Sequence, residues 1–86
     1  MEVEIGWVTE YLDQIGMAVL MLRRTLKVGD QIRIQGQVRD VTQQVTCLEI
    51  DHTSVLWAQP GDDVALAVTG PVNVHDRVYR IAKNSS

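Results

Sequence analysis

Val3, Ile5, Trp7, Thr9 and Tyr11 alternate along the chain with Glu2, Glu4, Gly6 and Glu10, the period of two expected for a strand with one dry and one wet face. This predicts a strand over about residues 3–12. Asp13-Gln14-Ile15-Gly16 then supplies a tight connection, and Met17-Ala18-Val19-Leu20-Met21-Leu22 runs apolar at every position. Such a run predicts a strand covered on both faces. Lying between turn signals, it is too short for a stable helix.

Leu26-Lys27-Val28-Gly29-Asp30 reads as a turn, since Gly29 tolerates positive φ and Asp30 can hydrogen-bond nearby backbone. Gln31 to Gln35 alternates strictly, with Ile32 and Ile34 inward, and ends at Gly36. From Val41 the apolar positions are odd (Val41, Val45, Cys47) and then even (Leu48, Ile50), which predicts a bulge near Cys47. After Gln59-Pro60-Gly61-Asp62, a strand forms around Val64, Leu66 and Val68, and Val78 to Ile81 completes the set. Leu26 to Ile32 and Val72 to Val78 share a faint repeat, apolar-x-Val-x-Asp-x-apolar, each introducing a strand. About six short strands with frequent turns predict an all-β fold, a small six-stranded closed antiparallel barrel over residues 1–82, because closure removes exposed edges. Residues 83–86 are expected to form a flexible C-terminal tail.

Composition sharpens this picture. The chain has 86 residues, 45% of them apolar, which suits one domain with a real core. A single cysteine, Cys47, excludes an internal disulfide, and no secretory or membrane-spanning segment is recognisable, so a cytoplasmic location is expected. The net charge of −3 hides alternating blocks: −4 over residues 1–22, +4 over 23–39, −6 over 40–76 and +3 thereafter.

Taken in order, Leu26-Lys27-Val28-Gly29-Asp30-Gln31-Ile32, Ala58-Gln59-Pro60-Gly61-Asp62-Asp63-Val64 and Val74-His75-Asp76-Arg77-Val78-Tyr79 resemble the strand-entry turns of domain 2 of elongation-factor-Tu-type translation GTPases. His75 stands where that pattern has glycine, so either the turn avoids positive φ there or His75 adopts it at a cost. The resemblance implies a six-stranded β-barrel that contacts RNA or a ribonucleoprotein, without transferring any individual contact residue. The barrel also looks like the C-terminal accessory domain of some collagenase-like peptidases. Fold alone does not carry function.

Catalytic chemistry finds little footing. No G-x-x-x-x-G-K-[ST] stretch exists to cradle a nucleotide, and Asp13-Gln14-Ile15-Gly16 reads as a hairpin turn. Cys47, Asp51, His52 and distant His75 lack the spacing of a metal site or nucleophile pair, and Asp62 and Asp63 point to opposite sides of a strand entry. A non-catalytic protein without cofactor or metal is expected. Two binding surfaces are legible instead. Arg33, Arg39, Arg77 and Arg80 would form a basic stripe for RNA if their strands are neighbours, although ordinary solvated faces paired with acids are the plainer reading. Leu56 and Trp57, apolar residues in a loop, together with Leu20 on the doubly apolar strand, suit a protein partner or a second copy of the chain; a tryptophan plugging a barrel end is the plainer alternative.

Overall fold

The computed structural model describes residues 1–82, so the tail expected at residues 83–86 lies outside the described residues. Within them the chain forms strands β1 (Glu2–Leu12), β2 (Met17–Leu22), β3 (Leu26–Lys27), β4 (Gln31–Gln35), β5 (Val41–Gln44), β6 (Leu48–Ile50), β7 (Thr53–Val55), β8 (Trp57–Ala58), β9 (Val64–Ala67) and β10 (Arg77–Ile81). Eight make one sheet in the order β5-β4-β10-β1-β2-β9-β6-β7, and β3 pairs with β8 in a separate two-stranded ribbon. Every pairing is antiparallel. Among the described residues no helix is long and apolar enough to cross a membrane.

The closed six-stranded barrel is corrected to an open, eight-stranded half-barrel with an attached ribbon. Two local features account for the difference. The run from Val41 to Ile50 is two strands rather than one bulged strand: β5 pairs with β4 at one edge of the sheet, whereas β6 joins β9 near the other. Its buried positions change parity, from Val41, Gln43 and Val45 to Leu48, because residues 45–47 carry the chain across the open side. In addition, β3, β7 and β8 are two or three residues long, too short to show any alternation in sequence.

β1 shows how the sheet curls. Its pairing shifts between Glu4 and Gly6 against β10, and between Val8 and Glu10 against β2. Each shift sends the following side chains to the other face, so Ile5 and Val8 both enter the core and Trp7 lies on the outer face. Gly6 is required at this bend, since a Cβ there would overlap the Met21 carbonyl group.

On β2 the inward residues are Ala18, Leu20 and Leu22, all buried, while Val19 is half-buried and Met21 is 43% exposed on the outer side. On that outer side Met17 is buried at 8%, so the strand is covered on both faces at its start and becomes exposed only at Met21. Leu20 pairs across to Val8 and Val64 inside the core, at 1% exposure, and this corrects its assignment to a protein-contact surface. Inward residues of every long strand, among them Ile5, Leu20, Ile32, Ile34, Leu48, Leu66 and Val78, form one apolar cluster.

Polar groups bridge the side the sheet leaves open. The Val45 N–H donates to the Asp30 carbonyl and the Gly29 N–H to the Val45 carbonyl, both at 2.8 Å. The buried Gln43 side chain reaches from β5 to the end of β9, donating to the Ala67 carbonyl at 2.8 Å and accepting the Thr69 N–H at 2.8 Å.

The three strand-entry turns are built alike. The Asp30 carboxylate accepts the Lys27 N–H, that of Asp62 the Gln59 N–H, and that of Asp76 the Asn73 N–H, each at 2.9 Å. In each turn the residue before the aspartate has positive φ: Gly29 at 99°, Gly61 at 97° and His75 at 79°. His75 therefore takes the left-handed conformation without being glycine, held there by its N–H donating to the Val8 carbonyl at 2.8 Å.

Candidate functional site

The arginines read as an RNA surface are distributed over two faces and a loop. β4 and β10 are indeed neighbours, with Arg33 opposite Tyr79 and Arg80 opposite Ile32. Arg33 stacks over the Tyr79 ring at 4.7 Å on the outer face. Arg80 instead lies on the side of the buried Ile32, where its guanidinium donates to the Thr25 carbonyl at 2.6 Å and approaches Asp30 at 3.9 Å. Arg39 sits in the exposed loop between β4 and β5.

Besides the Arg80–Asp30 approach, two of these cations are hydrogen-bonded to acids of the same chain. Arg33 makes a two-pronged contact with Glu2 at 2.7 and 2.8 Å and a third hydrogen bond to Asp40 at 2.7 Å. These bonds hold the Glu2 carboxyl below its ordinary range and, through Glu2 first and Asp40 second, push the Arg33 guanidinium above its own. Arg77 donates to Glu4 at 2.7 Å, which likewise raises its pKa. The acidic and basic blocks of the sequence meet here as internal ion pairs.

The ribbon presents a different surface. Trp57 faces Lys27 across it, and the Val28 N–H donates to the Leu56 carbonyl at 2.9 Å, which sets Val28, Leu56 and Trp57 side by side. Leu56 is 77% and Trp57 54% exposed, while Ala58 and Leu26 on the other side of the ribbon are fully buried. The ribbon is therefore attached to the body by one face and offers apolar side chains on the other. Trp57 does not plug a barrel end.

The nucleophile and metal candidates do not come together as a centre. Cys47 is a free, half-buried thiol at the strand crossing, and its carbonyl accepts the Ala67 N–H at 3.2 Å. Asp51 and His52 form the two-residue tip between β6 and β7, both at positive φ (53° and 64°), as a type I′ hairpin requires. His75 belongs to a different turn. Among the described residues no group of three or more His, Cys, Asp or Glu is arranged to hold a metal ion.

A further surface escaped sequence reasoning because its residues come from four strands. Register aligns Glu10 of β1, Val19 of β2, Ala65 of β9 and Glu49 of β6 in a single row across the outer face of the sheet. The row crosses a shallow depression of about 270 Å³, whose floor includes Val19 and Ala65 and whose lining carries Glu10, Glu49, Asp51 and Asp63. The five ion pairs of the described residues use Glu2, Glu4, Asp30 and Asp40 instead, so none of these four lining acids is paired.

What the geometry defines is a small all-β domain, an open eight-stranded half-barrel with an attached two-stranded ribbon. Solved structures show the same fold. The chain superposes on the C-terminal domain of a Geobacillus thermoleovorans protein assigned to the U32 peptidases with a TM-score of 0.84 at 20% identity, covering 92% of each chain. The selenomethionine form of that domain gives a TM-score of 0.82, covering 88% of this chain and 96% of the other. In sequence the chain is 32% identical over 79 residues to an uncharacterized protease of Methanocaldococcus jannaschii, covering 91% of this chain but only 19% of that protein's length. No family model matches. These likenesses overturn the translation-factor resemblance. The turns that suggested it are general strand-entry devices, each a positive-φ residue followed by an aspartate that accepts the amide three residues back, and they do not distinguish one barrel lineage from another.

Proposed function

We propose that the chain is a non-catalytic accessory domain, of the kind that U32 peptidases carry at their C-terminus, and that it works by docking a protein segment. The fold it shares with the Geobacillus domain and its sequence similarity to the M. jannaschii protease support the accessory reading. The observation that carries the docking reading is the exposed pair Leu56 and Trp57, held at 77% and 54% exposure on a ribbon whose other face is buried. Tryptophan is among the residues enriched at the hot spots of protein interfaces, and the neighbouring leucine adds apolar area around it. No group of the site needs to react with the partner. The contact is made by burial of the indole and the leucine.

Selection of random displayed peptides on the immobilised chain tests this reading. Enrichment of peptides whose binding is lost in the Leu56→Ser/Trp57→Ala variant, and kept in Arg39→Ala, is the expected result. Peptides that bind both variants equally, or no enrichment at all, would overturn it, as would hydrolysis of a peptide by the purified chain.

A further inference from the structure

We propose that the outer face of β1, β2, β9 and β6 is a second docking site, specific for an extended peptide segment with a short apolar stretch flanked on both sides by lysine or arginine. The proposal does not depend on the Leu56–Trp57 contact. It rests on three observations about one place.

The first is a partly uncovered apolar strip. The depression is lined by half-buried Val19 on β2, Ala65 beside it on β9 and 65%-exposed Ile15 in the β1–β2 turn, apolar groups left partly open to solvent on the outer face. The second is charge. Glu10 and Glu49 stand at the two ends of the row through Val19 and Ala65, Asp63 and Asp51 line the same depression, and no lysine or arginine lines it. The third is the division of ion pairs. The five ion pairs join Arg23, Arg33, Arg77 and Arg80 to Glu2, Glu4, Asp30 and Asp40, so no lysine or arginine of the described residues pairs with the depression's carboxylates, and His52 is the one basic side chain in its lining. A ligand complementary to this surface is apolar in the middle and cationic at both ends.

Spacing defines the ligand further. Glu10 and Glu49 are separated by three inter-strand steps, about 14 Å. An extended peptide covers that distance in about four residues. A segment crossing the strands along the row thus sets an apolar stretch on Val19 and Ala65 while its flanking bases reach the two glutamates. A nucleic acid would be repelled by the same carboxylates.

The test uses the full chain, isotopically labelled, titrated with the synthetic peptide Lys-Lys-Leu-Val-Leu-Lys-Lys and followed by amide chemical shifts. The expected result is saturable binding with Kd on the order of 100 μM, with the largest shifts at Glu10, Val19, Glu49 and Ala65. A Lys-Lys-Ser-Ser-Ser-Lys-Lys peptide is expected to bind about tenfold more weakly, because it lacks the apolar stretch. Glu10→Gln/Glu49→Gln, which preserves side-chain shape, is expected to cost about tenfold and to flatten the salt dependence. Trp57→Ala should leave this binding unchanged, which separates the present site from the one on the ribbon. Equal binding of the serine peptide, indifference to the double glutamine change, shifts confined to other faces, or the same residues shifting with a single-stranded RNA would each overturn the proposal. So would self-association through this face in sedimentation of the peptide-free chain, which would make a second copy its occupant.

Discussion

Gln43 and Thr69 are joined by two hydrogen bonds, the Gln43 Oε1 accepting the Thr69 backbone N–H at 2.8 Å and its hydroxyl at 3.2 Å. With the Gln43 Nε2 donating to Ala67, this one side chain links β5 to the end of β9, two strands that are not neighbours in the sheet. A buried carboxamide satisfied at both ends is stabilising chiefly because its partners would otherwise be left without one. Gln43→Leu is expected to lower stability by about 2 kcal/mol, read as a fall in Tm of about 10 °C for a domain of this size. A change below about 0.5 kcal/mol would mean that the open side is held by other contacts.

The three aspartate turns give a graded expectation. Asp30→Ala and Asp62→Ala each remove a hydrogen bond to a backbone amide at a partly exposed turn and should cost about 1 kcal/mol. Asp76→Ala should cost more, because Asp76 is buried at 8% exposure. His75→Gly should have the opposite sign, raising stability by up to about 1 kcal/mol by relieving a left-handed non-glycine residue. Urea unfolding of the four variants provides the check, and a destabilised His75→Gly would show that the imidazole makes a contact worth more than the strain.

Gly6→Ala is expected to be the most damaging single methyl addition in the chain. The new Cβ would occupy the space of the Met21 carbonyl, which β2 cannot yield without breaking its pairing with β1. A loss above about 3 kcal/mol, or failure to fold on circular dichroism, is the expected outcome. A near-native Tm would show that β1 bends elsewhere.

Acid should destabilise the fold in part through Glu2. Its folded-state carboxyl is held below the ordinary range by Arg33, so at low pH the unfolded chain binds a proton that the folded chain resists. The contribution is therefore fully present above the ordinary glutamate range and is lost as pH falls through the depressed folded value. Glu2→Gln should lose stability at neutral pH and show a shallower decline on acidification. Parallel pH profiles for the two proteins would contradict this, and molar salt should narrow the gap between them.

Much of the fold was legible in the sequence because its long strands announce themselves. The alternation of Gln31 to Gln35, the apolar run of Met17 to Leu22 and the three turns all lie where local chemistry predicts them. What was not legible depends on pairing. The parity change around Cys47 has two physical causes that look identical in sequence, a bulge or a change of partner strand, and only the pairing of β5 with β4 and β6 with β9 separates them. The bulges of β1 likewise put Val8 rather than Trp7 inside. Among contact residues, Leu56 and Trp57 stood out because a turn has no need of them, whereas Leu20 was misplaced because a doubly apolar strand does not say which face is inward. The row from Glu10 to Glu49 was out of reach, since it exists only through the register of four strands.

The central claim is that this half-barrel meets a protein segment through Trp57 rather than RNA through its arginines, and emission from Trp57 tests it most directly. In a Trp7→Phe background Trp57 is the sole indole. The account predicts that a ribbon-binding peptide from the display selection shifts its emission to the blue and saturates, while a random single-stranded RNA leaves it unchanged at low salt. Salt-sensitive RNA binding that is abolished by Arg33→Ala/Arg77→Ala, with no peptide that moves the Trp57 emission, would contradict it.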